Sequence, residues 1–300
     1  MENIHSLQYK NQSREQLHPD LTDDFPHIMS LVEIDKYKDG FVPWHWHEEV
    51  ELFYIENGVL EYDIPKGKIV FPKGSGGLVN SNVLHMTKPQ SKNTIQHLHI
   101  FDTSLIGGKS GSRIEKNYVA PIVSASQIEI VSLLPNISGQ MEILEEIKNS
   151  FQLTQDESNY EIKLREILSR IWCEILDLTR PLLVNKARID KTSDKLKVMM
   201  IYIHEHYAEK LSVEQIASVA FISERECLRV FRDYLYLTPV EYLRSYRLQK
   251  ACHMLTESSE SITAIGQACG LGNNSYFGKM FRENKGCTPL EYRQNGGITT

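Results

Sequence analysis

Cysteine is sparse in this chain and poorly placed for cross-linking. There are 5 in 300 residues, Cys173, Cys227, Cys252, Cys269 and Cys287. Their number is odd and no two share a C-x-x-C spacing, which argues against a disulfide framework and against a cysteine zinc site. Long apolar runs are missing as well. No uncharged stretch approaches the roughly 18 residues that would span a bilayer, so no membrane partner is expected. The opening residues, MENIHSLQYKNQSREQLHPD, contain no apolar signal segment, and a cytoplasmic location is the expectation. There is no basic excess either. The 33 Lys+Arg face 39 Asp+Glu, a net charge of −6. Residues 1–190 hold 19 basic against 27 acidic side chains, and residues 191–300 hold 14 against 12. Bulk charge therefore announces no nucleic-acid partner, and such a partner must be argued from where individual cations stand.

What is present suits two domains of ordinary size. Up to about residue 125 the chain reads as β. Val50–Glu56, Val59–Ile64, Lys68–Pro72, Gly77–Asn80 and Thr94–Phe101 are short β-branched and aromatic runs. Turn residues such as Glu56-Asn57-Gly58 and Lys73-Gly74-Ser75-Gly76 separate them. Evenly spaced short strands predict a sandwich or small barrel.

Residues 126–191 read as helical. Over Glu157–Leu178, Ile162, Leu164, Ile167, Leu168, Ile171, Ile175 and Leu178 recur at helical spacing. Such a stripe can cover the β domain or pair with a second copy of itself, and the spacing serves both. Arg180-Pro181 and the polar run VNKARIDKTSD then predict a linker. From Thr192 the chain reads as short helices.

Two segments in that last region match. Leu237-Thr238-Pro239-Val240-Glu241-Tyr242 returns as Cys287-Thr288-Pro289-Leu290-Glu291-Tyr292. Each alone is only a helix start, with threonine as cap, proline at the first helical position and glutamate reaching back. Upstream, Phe231-Arg232 matches Phe281-Arg282, and Ile216-Ala217 matches Ile265-Gly266. Ser212 and Ser261 precede the latter pair as N-caps. Each copy thus predicts a short helix, a tight turn, a second helix and a capped third, which contains a helix-turn-helix.

The second helix of such a unit can enter a major groove. In the first copy, Cys227, Val230, Phe231 and Tyr234 fall on one face and predict core. Arg225, Arg229 and Arg232 fall on the other, with Leu228 beside them. Ser223 and Glu226 are spaced for a capping box. In the second copy, Phe277, Met280 and Phe281 face in, while Asn273, Asn274, Ser275, Gly278, Lys279 and Arg282 are left for DNA. Arginine suits guanine and asparagine suits adenine, whereas Arg232 and Arg282, farther along, suit phosphates. The connecting helix from Pro239 to about Thr256 measures roughly 27 Å, against about 34 Å between successive major grooves.

At these residues, IASVAFISERECLRVFRDYLYLTPVEYLR and IGQACGLGNNSYFGKMFRENKGCTPLEYR, the chain resembles the AraC/XylS family of transcription regulators. The resemblance covers about residues 192–294. It implies binding of double-stranded promoter DNA, often as a homodimer, under control of a small-molecule effector held by the N-terminal domain, with RNA polymerase as a further partner. Tyr236 and Phe221 depart from the second copy's Gly286 and Gly270. Glu224 and Glu226 put acid at the start of the first recognition helix.

In PWHWHEEVELFYIENG, His45, His47, Glu49 and Glu51 alternate, so an extended strand would turn them to one face. The spacing Gly40-x4-His45-x-His47-x3-Glu51-x6-Gly58 is similar to the first motif of the cupin fold, and Gly74-x5-Asn80-x-Asn82-x2-His85 to a weaker second. That likeness implies a metal set of His45, His47, Glu51 and His85 for Zn, Mn or Fe. The same cluster, with Trp44 and Trp46 as flat apolar walls, equally suits an organic effector, a sugar being one class, or an internally hydrogen-bonded core.

The expectation is therefore an α+β chain. Residues 1–125 form a cupin-like β-barrel effector domain, residues 126–191 a helical dimerisation segment and linker, and residues 192–300 an all-α domain with two helix-turn-helix units. It is read as a regulator without catalytic residues. The alternative is a metal-dependent cupin enzyme with an appended helical domain.

Overall fold

The structure is a computed structural model that describes residues 2–3, 7–9, 15–18, 20–22, 24–37, 40–65, 67–184 and 192–294. The chain divides into two compact units, Met1–Lys191 and Thr192–Thr300. Among the described residues no helix is long and apolar enough to cross a membrane.

The first unit begins with two-residue strands β1 (Glu2–Asn3), β2 (Gln8–Tyr9) and β3 (Gln16–Leu17). Longer ones follow: β4 (His27–Glu33), β5 (Val42–His45), β6 (Val50–Asn57), β7 (Val59–Ile64), β8 (Gly67–Pro72), β9 (Gly76–Val79), β10 (His85–Pro89), β11 (Ile95–Phe101) and β12 (Ile130–Leu133). One sheet runs β1-β4-β11-β6-β9-β12 and the other β5-β10-β7-β8, with β2 and β3 paired apart. Only β1–β4 is a parallel pairing among these.

Alternation along a strand sends neighbours to opposite faces, and here both faces are buried. Val32, Phe53, Ile55, Val79, Leu98 and Ile100 from the six-stranded sheet pack with Val42, Leu60, Tyr62 and Phe71 from the four-stranded sheet. The opposite face of the six-stranded sheet contributes Met29, Val50, Leu52, Tyr54, Leu78 and Phe101 to a second core. That core is closed by α1 (Ser104–Gly107), α2 (Ala120–Val123), α3 (Met141–Ser150) and α4 (Tyr160–Val184). Three layers result.

Residues 126–191 are not purely helical, because β12 extends the large sheet beside β9. The buried stripe of α4 is Leu164, Leu168, Ile171, Trp172, Ile175 and Leu176, covered by the unit's own core. Ile162 and Leu178 lie outside that stripe, 69% and 39% exposed. Helix α4 also runs past Arg180-Pro181. Pro181 sits in its last turn, where the missing N–H leaves only the carbonyl of exposed Asp177 for water to satisfy. Residues 185–191 of the expected linker lie outside the described residues.

Strand β11 turns His97 and His99 toward the helices. The His99 ring stacks on Phe151 at 4.1 Å, and His97 lies 5.1 Å from the same ring. Ser150 Oγ donates to the Ile147 carbonyl at 2.5 Å, so it accepts from His99 Nε2 at 2.8 Å. His99 Nδ1 must then accept from His27 Nε2, also 2.8 Å away. The chain is satisfied with both rings neutral. Burial pushes His27 down to about 4. Burial, then the adjacent His27, holds His99 well below the ordinary imidazole range.

The second unit comprises α5 (Thr192–His206), α6 (Val213–Ser218), α7 (Glu224–Leu235), α8 (Pro239–Glu257), α9 (Ile262–Ala268), α10 (Asn274–Lys285) and α11 (Pro289–Gln294). The helix starts follow the expected caps. Ser212 forms a full capping box with Gln215 and Thr238 one with Glu241. Ser261 Oγ accepts from the Ala264 amide, and Thr288 and Glu291 bond reciprocally. Ser223 makes only half of its box. Its Oγ accepts from the Glu226 amide, but the Glu226 carboxylate is bound by Arg229 at 2.6 and 3.0 Å. Both copies place left-handed residues at matching points. Phe221 (φ 54) stands where the second copy has Gly270 (φ 65), and Tyr236 (φ 57) where it has Gly286 (φ 75).

A histidine whose folded pKa lies below its unfolded value stabilises the fold above the unfolded value and loses that contribution as pH falls. For His27 the window runs from 6.5 down to about 4. Urea unfolding followed by tryptophan fluorescence reports this unit alone, since Trp44, Trp46 and Trp172 all belong to it. Stability should fall by up to about 3 kcal/mol across that window, and His27→Gln should flatten the slope. In the second unit, Phe221 is 96% exposed and has little packing to lose. Phe221→Gly should relieve left-handed strain and stabilise the unit by about 1 kcal/mol, read as a higher midpoint in urea by circular dichroism.

Candidate functional site

In the first unit, His45 ends β5, Glu51 is the second residue of β6 and His85 opens β10. His45 and His85 are register partners. His47 lies in the turn between β5 and β6, not on a strand. One ligand atom from each of these four side chains lies within 4.8 Å of all the others, and all four residues are buried. Each ring turns Nδ1 to a nearby carbonyl: His45 to Pro43 at 2.8 Å, His47 to Glu49 at 2.9 Å and His85 to Val83 at 2.9 Å. Since a carbonyl only accepts, each Nδ1 carries a proton, and in the neutral ring Nε2 is the atom with the lone pair.

Glu51 Oε2 lies 3.6 Å from His47 Nε2 and 3.7 Å from His85 Nε2. Its Oε1 accepts from Tyr62 at 2.7 Å, and Gln96 donates to the Tyr62 oxygen in turn. Desolvation pushes Glu51 up, but the facing rings of His47 and His85 outweigh it and leave the carboxyl well below its usual range. Burial, then the Glu51 charge, raises the Tyr62 phenol well above its usual range, so it stays a donor. Burial, then His85 and His47, pushes His45 down. A cavity of about 30 Å³ adjoins the cluster, lined by Gln16, Val32, Tyr37, Val42, Thr87, Gln96, Leu98 and Ile100 together with Leu7, His45, Glu51 and His85.

Glu49 does not share this face. The strand breaks at the turn, so the alternation from His45 to Glu51 is not continuous, and Glu49 instead meets His18 Nδ1 at 3.1 Å. Trp44 and Trp46 are 7% and 4% exposed and do not border the cavity. Their alternation opposite His45 turns them away from it. Asn80, in the weaker motif, is structural: its amide donates to the carbonyls of Ile122 and Ile128. Tyr62, Gln96, Gln16 and His18 join the site with no spacing signal in the sequence: sheet pairing brings Tyr62 and Gln96 there, and the N-terminal segment brings Gln16 and His18 through the Gln16 amide on the Trp46 carbonyl and His18 on Glu49.

In the second unit, α7 buries Cys227, Val230, Phe231 and Tyr234 and exposes Arg225, Arg229 and Arg232, with Leu228 half-buried. Arg229 is held by Glu226 and, at 3.0 Å, by Asp233, and these raise its pKa, Glu226 most. Helix α7 carries Arg225, Arg229 and Arg232 against Glu224, Glu226 and Asp233. Helix α10 carries Lys279, Arg282 and Lys285 against Glu283 alone. The two copies therefore share a core but differ in charge.

On α10, Asn274, Ser275, Gly278, Lys279 and Arg282 line one open concavity with Thr288 and Pro289. A Cβ at Gly278 would meet nothing within 4 Å, so packing does not demand glycine there. Asn273 is spent as the N-cap, its Oδ1 accepting from the Tyr276 amide at 2.9 Å. Asn274, exposed, donates through Nδ2 to Thr263 Oγ1 at 2.6 Å.

A two-sheet β domain with a buried polar pocket, followed by a duplicated helix-turn-helix, defines an effector-linked DNA-binding protein. Two family models match it. Residues 27–161 match the AraC-like ligand binding domain and residues 216–295 match a helix-turn-helix domain, together most of the chain. The chain belongs to the AraC family of DNA-binding transcriptional regulators. It is 28% identical over 287 residues to the HTH-type transcriptional regulator YdeC of Bacillus subtilis, covering 95% of this chain and 97% of that one. It is 29% identical over 289 residues to the HTH-type transcriptional activator RhaS of Enterobacter sp. (strain 638), covering 91% and 95%. Among solved structures, the DNA-binding domain of AdpA in complex with a target DNA is 26% identical, covering 35% of this chain and 92% of that chain with a TM-score of 0.32.

The charge contrast between α7 and α10 has a measurable consequence. Glu226→Gln with Asp233→Asn frees Arg229 from its own helix. Affinity for duplex DNA should rise, and the plot of log affinity against log salt should steepen by about one, as read by fluorescence anisotropy.

Proposed function

We propose that this protein is a one-component regulator in which occupancy of the first unit's pocket sets the affinity of the second unit for promoter DNA. The observation that carries the reading is the grouping of Asn274, Lys279 and Arg282 on one exposed concavity of α10. Helix α10 reads bases through Asn274 and Lys279 and grips phosphate through Arg282. Helix α7 reads a second groove through Arg225 and Arg229. The effector is a small molecule, a sugar being one class, which shifts the population of domain arrangements by binding one better than another. The protein acts in the cytoplasm as a homodimer, which doubles the number of recognition helices, and it meets RNA polymerase at the promoter.

The test is a set of single substitutions assayed across duplexes of varied sequence. Asn274→Ala and Lys279→Ala should each cost about 1–3 kcal/mol on the preferred sequence and relax discrimination at particular bases. Arg282→Ala should weaken all sequences alike and lower the salt slope by about one. Unchanged affinity in the Asn274→Ala, Lys279→Ala, Arg229→Ala triple variant would remove the reading.

A further inference from the structure

We infer that His45, His47, Glu51 and His85 bind one divalent transition-metal ion. The inference rests on the reading of the first unit as the ligand-binding one and names its innermost ligand. Three imidazoles and one carboxylate, with no thiolate, suit zinc, manganese or iron.

All three rings donate Nδ1–H to a carbonyl two residues away in sequence. A bond of this kind on the far ring nitrogen is what orients a metal-binding histidine and makes Nε2 the ligand. Nε2 of His47 and of His85 is buried and makes no hydrogen bond, and Glu51 Oε2 is too far at 3.6 and 3.7 Å. An internally hydrogen-bonded core would not leave two ring nitrogens so, because buried polar atoms in native structures find partners. The His45 and His85 rings lie 4.1 Å apart, which brings their ligand atoms together from two paired strands.

Size agrees. Metal–nitrogen and metal–oxygen bonds of about 2.0–2.2 Å allow donors on opposite sides of an ion to stand up to about 4.4 Å apart. The observed spread of 4.8 Å closes onto an ion with a shift of a few tenths of an ångström. The adjoining cavity of about 30 Å³ admits on the order of two waters, which suits the open positions of an ion with four protein ligands. The Gln96–Tyr62–Glu51 chain fixes the carboxylate's other oxygen, so Oε2 is the atom presented.

The test uses the full chain, stripped with a chelator and titrated with Co²⁺ as a spectroscopic probe, with metal analysis after Zn²⁺ loading. The expected result is about one ion per chain with ligand-field absorption of a nitrogen–oxygen site. Glu51→Gln keeps an acceptor for Tyr62, so the fold is preserved, and should weaken Co²⁺ binding at least about tenfold. His47→Gln with His85→Gln should abolish it. Wild-type uptake below about a tenth of an equivalent, or full uptake by the double variant, overturns the inference. Duplex binding is measured on the same preparations. Failed metal uptake with intact DNA binding sinks only this inference, whereas metal bound without any DNA binding sinks only the regulator reading.

Discussion

Strand β6 has to serve two cores at once. Val50, Leu52 and Tyr54 point to the helices while Glu51, Phe53 and Ile55 point between the sheets. A carboxylate in the second set is costly unless its oxygens are satisfied. Every inward feature of the pocket answers that constraint. Tyr62 from β7 supplies a phenol to one oxygen, Gln96 from β11 fixes the phenol, and His47 and His85 face the other oxygen at 3.6 and 3.7 Å. The cavity beside this carboxylate is lined by both polar and apolar side chains of the two sheets.

The second unit solves a different problem twice. Each helix-turn-helix must reverse the chain after its first helix and again after its second, and both reversals use a left-handed residue. The second copy pays nothing for this, since Gly270 and Gly286 stand there. Gly270 has a further reason, because a Cβ would come within 2.7 Å of the Ala208 carbonyl. The first copy keeps the same turns with Phe221 and Tyr236, so its backbone is held by the surrounding helices against the preference of those residues. Its recognition helix also spends Arg229 on Glu226 and Asp233. The two recognition helices therefore differ in balance: α7 carries three basic against three acidic side chains, and α10 three basic against Glu283, which lies 3.9 Å from Lys279.

The repeat was legible because caps, core faces and turns recur in order, and each has a local physical cause. The strands from Val50 to Pro72 were legible for the same reason. Strands β5 and β10 were not: Pro43 interrupts one and the other, HMTKP, lacks a strand-like apolar alternation. Strand β4, HIMSLVE, is obscured because both of its faces are covered and its apolar residues do not alternate cleanly. The four-residue cluster was readable from spacing, although the face argument behind it was only partly sound, since His47 sits in a turn and Glu49 is diverted to His18. The His27–His99–Ser150 chain joins residues up to 123 positions apart and leaves no spacing in one sequence to find it by.

The two-faced character of β6 also bears on how the pocket could be heard elsewhere. Glu51 and its neighbours Val50 and Leu52 share one backbone. A ligand that draws Glu51 toward the histidines must therefore shift Val50 and Leu52 against the layer containing α3 and α4, because close-packed cores transmit displacement rather than absorb it. Helix α4 is the last described element before the second unit in the chain. A tightly bound occupant that fitted the resting pocket equally well in both arrangements would send nothing along this path, however strong its affinity.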